Sequence, residues 1–343
     1  MNDADHRSDQ FNLKNVFATM LRGALGLGAI SFMIVTLIGL YGAVDAGYDV
    51  VNHFRILFTL PALLLAVLAF VAKARAAAAI TLAALLVHAF AIVPEVYAGW
   101  SSPAVESRPN RFKLVTFNVA FRLTDAQKLR RFIEAERPDV LVMQEVLGKG
   151  VATVDALKDL MPYRSHCMNE QVCDLALLSR HPIVAGDIKR ATLVGPNPNR
   201  TRLVRADLDI GDLTGKPGRT VTVLTTHLAW PLPQERQQTQ FRQLAKLVSA
   251  LDTVNTILAG DFNYTPWSFA LKHFDAAIPL TRVTRSFHSW PTRQTIAGIS
   301  MPFPLLPIDH VFAGSRFRAE SVRRGPYLGS DHYPVIVEFS IED

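Results

Sequence analysis

Six short segments of this chain join an apolar run to acid, amide or imidazole side chains. K-L-V-T-F-N ends at Asn118, V-L-V-M-Q-E at Glu145, V-L-T-T-H at His227, and I-L-A-G-D-F-N at Asn263 with Asp261 inside it. P-I-D-H carries Asp309 and His310, and G-S-D-H carries Asp331 and His332. Carboxylates of this kind hold hard divalent cations through oxygen. A carboxylate beside an imidazole fixes its tautomer and stabilises its charged form, which equips the pair for proton transfer. A lone Asn or Asp after a strand is ordinarily a turn residue. Five strands of one region ending in this way point instead to a shared site.

The elements that must hold these groups follow from periodicity. Alternating or continuous apolar runs predict strands over residues 112–118, 139–145, 175–179, 202–209, 220–227, 256–261, 307–312 and 333–339. Leu129, Phe132 and Ile133 fall at helical spacing within 124–136, with Thr124 as a cap, and 234–251 has the length and period of a second helix. Mixed strands and helices of this kind predict a layered α/β domain of about 230 residues. A strand end is a rigid mount and the loop beyond it gives access, so catalytic groups gather there.

In this order and spacing, F-N-V, Q-E, T-H, G-D-F-N, I-D-H and S-D-H closely resemble the endonuclease/exonuclease/phosphatase superfamily over roughly residues 112–340. The resemblance extends to bacterial members with membrane spans ahead of such a domain. It implies a four-layer α/β sandwich, two face-to-face sheets with helices outside. It also implies hydrolysis of a phosphodiester, which needs neutralised oxygens, an activated water in line and help for the leaving oxygen. By this resemblance Glu145 is the principal ligand of Mg²⁺ (or Mn²⁺), Asn118 contacts metal or phosphate beside it, and Asp331 is a second ligand. The metal would act as Lewis acid and template. His332 is general base or polarises the phosphate, with Asp309 orienting it. Asp261 aligns the attacking water, Asn263 binds the phosphate, and His227 binds the scissile phosphate or assists the leaving group. Strand alternation turns His310 away from Asp309, into a structural role.

One departure narrows the match. Abasic-site endonucleases carry Asn-x-Asp after the first strand, whereas this chain has Asn118-Val119-Ala120. The missing acid argues against a second metal there. Nothing resembles a DNA-intercalating loop of interleaved aromatic and basic residues. Arg202, Arg205 and Trp290-Pro291-Thr292 are placed along the substrate groove, the two arginines as cross-sheet or phosphate-neighbour charges.

Of the 343 residues, 49% are apolar, high for a soluble enzyme, and the excess sits before residue 100. Charge-free runs cover 23–44, 56–72 and 76–94, or 22, 17 and 19 residues, against roughly 20 needed to cross a bilayer. A signal peptide would have a shorter core and a cleavage site, with no further runs behind it. Three adjacent runs on short links also argue against a buried helical core. Arg7, Lys14 and Arg22 precede the first run and Lys73 and Arg75 join the second to the third, whereas the first link carries Asp45 and Asp49. Basic flanks face the cytoplasm, so three spans put the C-terminal domain on the periplasmic side of a bacterial inner membrane. The expected organisation is a cytoplasmic segment 1–22, an anchor 23–100, a linker 101–111 and a catalytic domain 112–343.

The first 100 residues hold six basic and six acidic side chains, so the net charge of +6 belongs to the remainder. That suits a polyanion, either extracytoplasmic nucleic acid or a lipid headgroup. Cys167 and Cys173 are closely spaced in a loop-like stretch, as for a disulfide in an oxidising compartment, and lack the further ligands of a zinc site. The sequence thus predicts a membrane-anchored, metal-dependent phosphodiesterase. The alternatives are a phosphomonoesterase of the same fold and a catalytically silent scaffold.

Overall fold

Along the strands, apolar side chains alternate between two buried faces, and this builds a sandwich with helices on both outer sides. The computed structural model describes residues 13–100, 110–120, 124–169, 173–184, 202–232, 234–292, 295–296, 299–300 and 302–342. The expected linker lies almost entirely outside them.

One sheet holds β1 (Arg111–Asn118), β2 (Val140–Gln144), β3 (Tyr163–Asn169), β4 (Cys173–Ser179), β12 (Phe317–Arg324) and β13 (Val335–Ile341), in the order β12-β13-β1-β2-β4-β3. The other holds β5 (Arg202–Asp209), β6 (Thr220–His227), β7 (Thr256–Asp261), β8 (Thr281–Arg282) and β11 (Asp309–Ala313), in the order β5-β6-β7-β11-β8. A separate small hairpin pairs β9 (Thr295–Ile296) with β10 (Ile299–Ser300). In each large sheet the two central strands are parallel, β1 with β2 and β6 with β7, and their other neighbours are antiparallel.

Phe112, Leu114, Val140, Val142, Val221, Val223, Ile257, Ala259 and Val311 face one another between the sheets. Their alternate neighbours face outward. Val115, Phe117, Leu141 and Met143 pack with Leu129, Phe132 and Ile133 of α4 (Ala126–Glu136) and Val154 of α5 (Lys149–Asp155). Leu224, Leu258 and Phe312 pack with Phe241 and Leu244 of α7 (Gln234–Ser249) and Leu271 and Phe274 of α8 (Phe269–Ala277). A single turn, α6 (Gly211–Thr214), joins β5 to β6. The result is the expected four-layer α/β sandwich.

Strand placement follows the sequence closely, but α4 starts later than expected. Its cap is Asp125, whose carboxylate accepts from the amides of Gln127 and Lys128, while Thr124 instead donates to Val119 O. The edge strands β3 and β12 and the helix α8 were not among the predicted elements. Cys167 is disulfide-bonded, and Cys173 is the chain's one other cysteine.

Ahead of the sandwich stand α1 (Leu13–Tyr41), α2 (Arg55–Val71) and α3 (Arg75–Trp100), with a 3-10 turn over Tyr48–Phe54 between the first two. Lys14–Tyr41, Tyr48–Val71 (the turn together with α2) and Arg75–Gly99 are each long and apolar enough to cross a membrane. Their large side chains point out: Leu27, Phe70 and Phe90 are exposed. Their small ones point in: Ala29, Ala69 and Ala84 are buried at the helix contacts. Small residues inside and bulky apolar ones outside is how helices pack where lipid is the solvent.

The two ends of this bundle differ. At one end Arg22 Nε donates to Ala72 O at 2.8 Å. At the other, the first link and the end of α3 dock on the sandwich. The Asp49 carboxylate takes the amides of Phe269 and Ala270 at 3.0 and 2.9 Å, at the N-terminus of α8. Glu95 is held by Arg282 and Arg285 at 3.0 and 2.9 Å.

Candidate active site

The inner rows of the central strands change from apolar to polar at one end of the sandwich. Continuing Phe112, Leu114 and Thr116 by twos brings β1 to Asn118; the same step brings β6 to His227 and β7 to Asp261. The antiparallel β11 begins there, with Asp309 opposite Asp261. Parallel β1–β2 and β6–β7 pairs therefore deliver their C-terminal ends to the same place. Gln144 ties the sheets together beneath it, donating to Thr225 Oγ1 at 2.9 Å.

Asp261 is at the centre, 1% exposed. Its Oδ1 accepts the Asn263 amide at 2.8 Å and its Oδ2 accepts Asn118 Nδ2 at 3.0 Å. Nε2 of His332 and Nε2 of His227 both approach that Oδ2, at 3.7 and 3.9 Å. Each imidazole is held from behind by another carboxylate. His332 Nδ1 lies 2.8 Å from Asp309 Oδ2, which also accepts from Ser289 Oγ. His227 Nδ1 lies 2.9 Å from Asp174 Oδ2, and Arg202 pairs with the same oxygen.

Glycine is required in G-D-F-N because β7 crowds β6: a Cβ on Gly260 would sit 2.0 Å from Thr226 O. Glu145 and Asn263 leave their strands with φ of 58° and 53°, a conformation that non-glycine residues hold only where the surroundings impose it. The turn at Glu145 brings its carboxylate into the cleft, where Oε1 accepts Asn118 Nδ2 at 3.1 Å. Its side chain remains about a third exposed.

Electrostatics follow from this packing. Burial raises the Asp261 carboxyl above the usual carboxylate range, with Asp309 adding to the shift and the two imidazoles opposing it. Burial alone would lower the two histidines, but the carboxylates behind and beside them win. Asp309 and Asp261 bring His332 up to about 10, and Asp174 with Asp261 and Glu145 brings His227 up to about 9. Asp174 is held down at about 2, since His227 and Arg202 outweigh its burial.

Asn118, Glu145, His227, Asp261, Asn263, Asp309, Asp331 and His332 all reach this cleft or its floor, whereas His310 and Arg205 do not. Asn118 turns its carbonyl oxygen to the Ala120 amide and its NH₂ to Glu145 and Asp261, so it bridges two carboxylates. Asn263 gives one amide hydrogen to Leu228 O. Asp331 lines the cleft and accepts Trp290 Nε1 on Oδ2 at 3.2 Å. His310 faces the outer core, bonded to Tyr264 O, and burial drops it to about 3. Arg205, expected as a cross-sheet or phosphate-neighbour charge, pairs within its own strand, with Asp207 two residues on, while Arg202 reaches across to Asp174. Asp174 itself was missed. Its one signal is indirect: β4 runs antiparallel to β2, so its first residues lie beside the end of β2.

The donor set suits a hard cation. Asp261, Asp309 and His332 place one donor each within 4.8 Å of one another. His332 Nδ1 is already bonded to Asp309 Oδ2, however, which makes this pair a dyad. Glu145 has a carboxylate open to the cleft, and Asp331, which also lines it, offers a second oxygen.

A two-sheet sandwich with such a polar end defines a class of phosphoric ester hydrolases. Residues 115–332 match the Endonuclease/Exonuclease/phosphatase family, and the chain belongs to it; members hydrolyse phosphoric esters and generally depend on a divalent metal. Among solved structures it is similar to an endonuclease/exonuclease/phosphatase from Beutenbergia cavernae, at 20% identity and TM-score 0.51, covering 68% of this chain and 72% of that one. Family proteins from Bacteroides thetaiotaomicron (14%, TM-score 0.51, covering 69% and 100%) and Bacteroides vulgatus (15%, TM-score 0.50, covering 68% and 99%) share the fold. Compared by sequence with curated proteins, the chain gives no match.

Proposed function

We propose that this protein is a membrane-anchored, divalent-metal-dependent phosphodiesterase. The observation that carries the reading is the convergence of two carboxylate-backed imidazoles and the Asn118–Glu145 pair on Asp261. Glu145 would hold Mg²⁺ or Mn²⁺, oriented by Asn118, with Asp331 as a second ligand. When bound, the cation supplies Lewis-acid charge at the phosphate.

The chain's own residues do the rest. His332 and His227, charged at neutral pH, bind non-bridging phosphate oxygens, and Asn263 adds its second amide hydrogen. Asp261, ionised, aligns a water and takes its proton. The water oxygen bonds to phosphorus as the ester P–O bond breaks, and His227 protonates the departing alkoxide. The products are an alcohol and a phosphomonoester.

Three apolar helices support anchoring. The basic end (Arg22, Lys73) and the docked acidic end (Asp49, Glu95) are opposite ends of one bundle, which supports an extracytoplasmic catalytic domain. In Glu145→Ala and His332→Ala variants, metal-dependent hydrolysis should vanish from a folded domain; activity retained in both would remove this site. A C-terminal topology reporter should score extracytoplasmic, and a cytoplasmic score would remove one span.

A further inference from the structure

The cleft above Asp261 encloses about 310 Å³, and one of its walls belongs to the anchor: Val50, His53 and Phe54. These residues begin the second candidate span, Tyr48–Val71. Trp230 and Leu232 also line the cleft, apolar side chains left 64% and 62% exposed. Glu145, Asp261 and His332 form the polar floor. The pocket is thus polar at the chemistry and apolar at the rim, and the rim continues into membrane-spanning helices.

The anchor wall is fixed in place. Asp49 caps α8, His53 O accepts Trp267 Nε1 at 3.3 Å, and the His53 ring meets Tyr264 edge-on at 4.5 Å. His53 Nδ1 accepts the Thr265 amide at 3.2 Å, which leaves the ring hydrogen on Nε2. That Nε2 is buried and has no hydrogen-bond partner among the described residues, although His53 lines the cleft and is 3% exposed. A buried donor without an acceptor is costly in a finished fold. Here the ring that carries it lines a substrate-sized space.

Resting on the phosphodiesterase reading, we infer that the substrate is a phospholipid of the anchoring bilayer, received against the anchor itself. Its phosphodiester lies on the polar floor. His53 Nε2 donates to an acceptor oxygen of the lipid, and the chains leave between Phe54 and the Trp230–Leu232 rim toward the helices. Continuity of the pocket with the spans favours this occupant over nucleic acid.

The test uses the full chain in nanodiscs of phosphatidylethanolamine and phosphatidylglycerol with long acyl chains. Turnover of these lipids, of plasmid DNA and of water-soluble bis-p-nitrophenyl phosphate is compared in Mg²⁺. The quantity read is the ratio of kcat/KM for lipid to that for the soluble diester, which corrects for misfolded sites. It should fall at least about tenfold in His53→Phe and also in Leu232→Ser, whose exposed position spares folding. An unchanged ratio in both variants, or a wild type that cleaves DNA but no lipid, would overturn the inference. If no diester at all is cleaved, the phosphodiesterase reading fails with it.

Discussion

Asp174 Oδ2 lies 2.9 Å from His227 Nδ1, so the second imidazole of the site has an orienting carboxylate of its own. The pairing fixes the tautomer that presents Nε2 to Asp261, and Arg202 holds Asp174 in turn. Replacing Asp174→Asn should lower kcat/KM by about 10- to 100-fold, the usual loss when such a partner is removed. Because the carboxylate raises His227, its removal should also move the alkaline fall of the pH profile to lower pH. A loss of rate with an unmoved profile would make Asp174 merely structural.

Activity should follow a bell-shaped pH profile. On the proposed mechanism Asp261 aligns water as the ionised carboxylate, and burial raises its pKa, so the acid limb should lie above the range of an ordinary carboxylate. On the same mechanism His332 and His227 bind phosphate in their protonated forms, and the carboxylates around them raise them to about 10 and about 9. The lower of the two sets the alkaline limb, so activity should fall near pH 9 as pH rises. Measurement of kcat/KM across this range checks both limbs. An alkaline limb near 6.5, the ordinary value for histidine, would contradict the double-dyad arrangement.

The bundle of apolar helices and the sandwich are joined by buried charge as well as apolar contact. Arg282, with its side chain 1% exposed, pairs with Glu95 of α3 and with Asp275 at 3.0 and 2.8 Å. Arg282→Met would leave both carboxylates short of a partner, a loss of about 3–5 kcal/mol when one side of a buried pair is removed. Arg285 also reaches Glu95, which places the expected loss at the lower end. Denaturant unfolding of the detergent-solubilised chain measures it. A change below about 1 kcal/mol would mean that this contact does not hold the two parts together.

What could be read in the sequence, and what could not, divides along physical lines. β5, β6 and β7 fall on the expected residues because their runs are buried on both faces or alternate cleanly. The inner-row polar residues at the ends of β1, β6 and β7 follow from the same period of two, and so does His310's outward turn. The edge strand β12, F-R-A-E-S-V-R-R, is mostly half-exposed and carries little apolar signal. Asp174 reads as an ordinary strand-start aspartate, since its role arises only when the two sheets meet. The wall given by Val50, His53 and Phe54 was hidden for a similar reason: it lies more than 200 residues in sequence from Asp261 and His332. Spans read by hydrophobicity alone carry no sign of what they dock against.

The most direct test is hydrolysis of bis-p-nitrophenyl phosphate by the full chain in nanodiscs, with Mg²⁺ and then with a chelator. Turnover in Mg²⁺, lost with chelator and restored by added cation, is the predicted result. A folded protein that binds the cation and cleaves nothing, or one whose turnover ignores the chelator, would contradict the account.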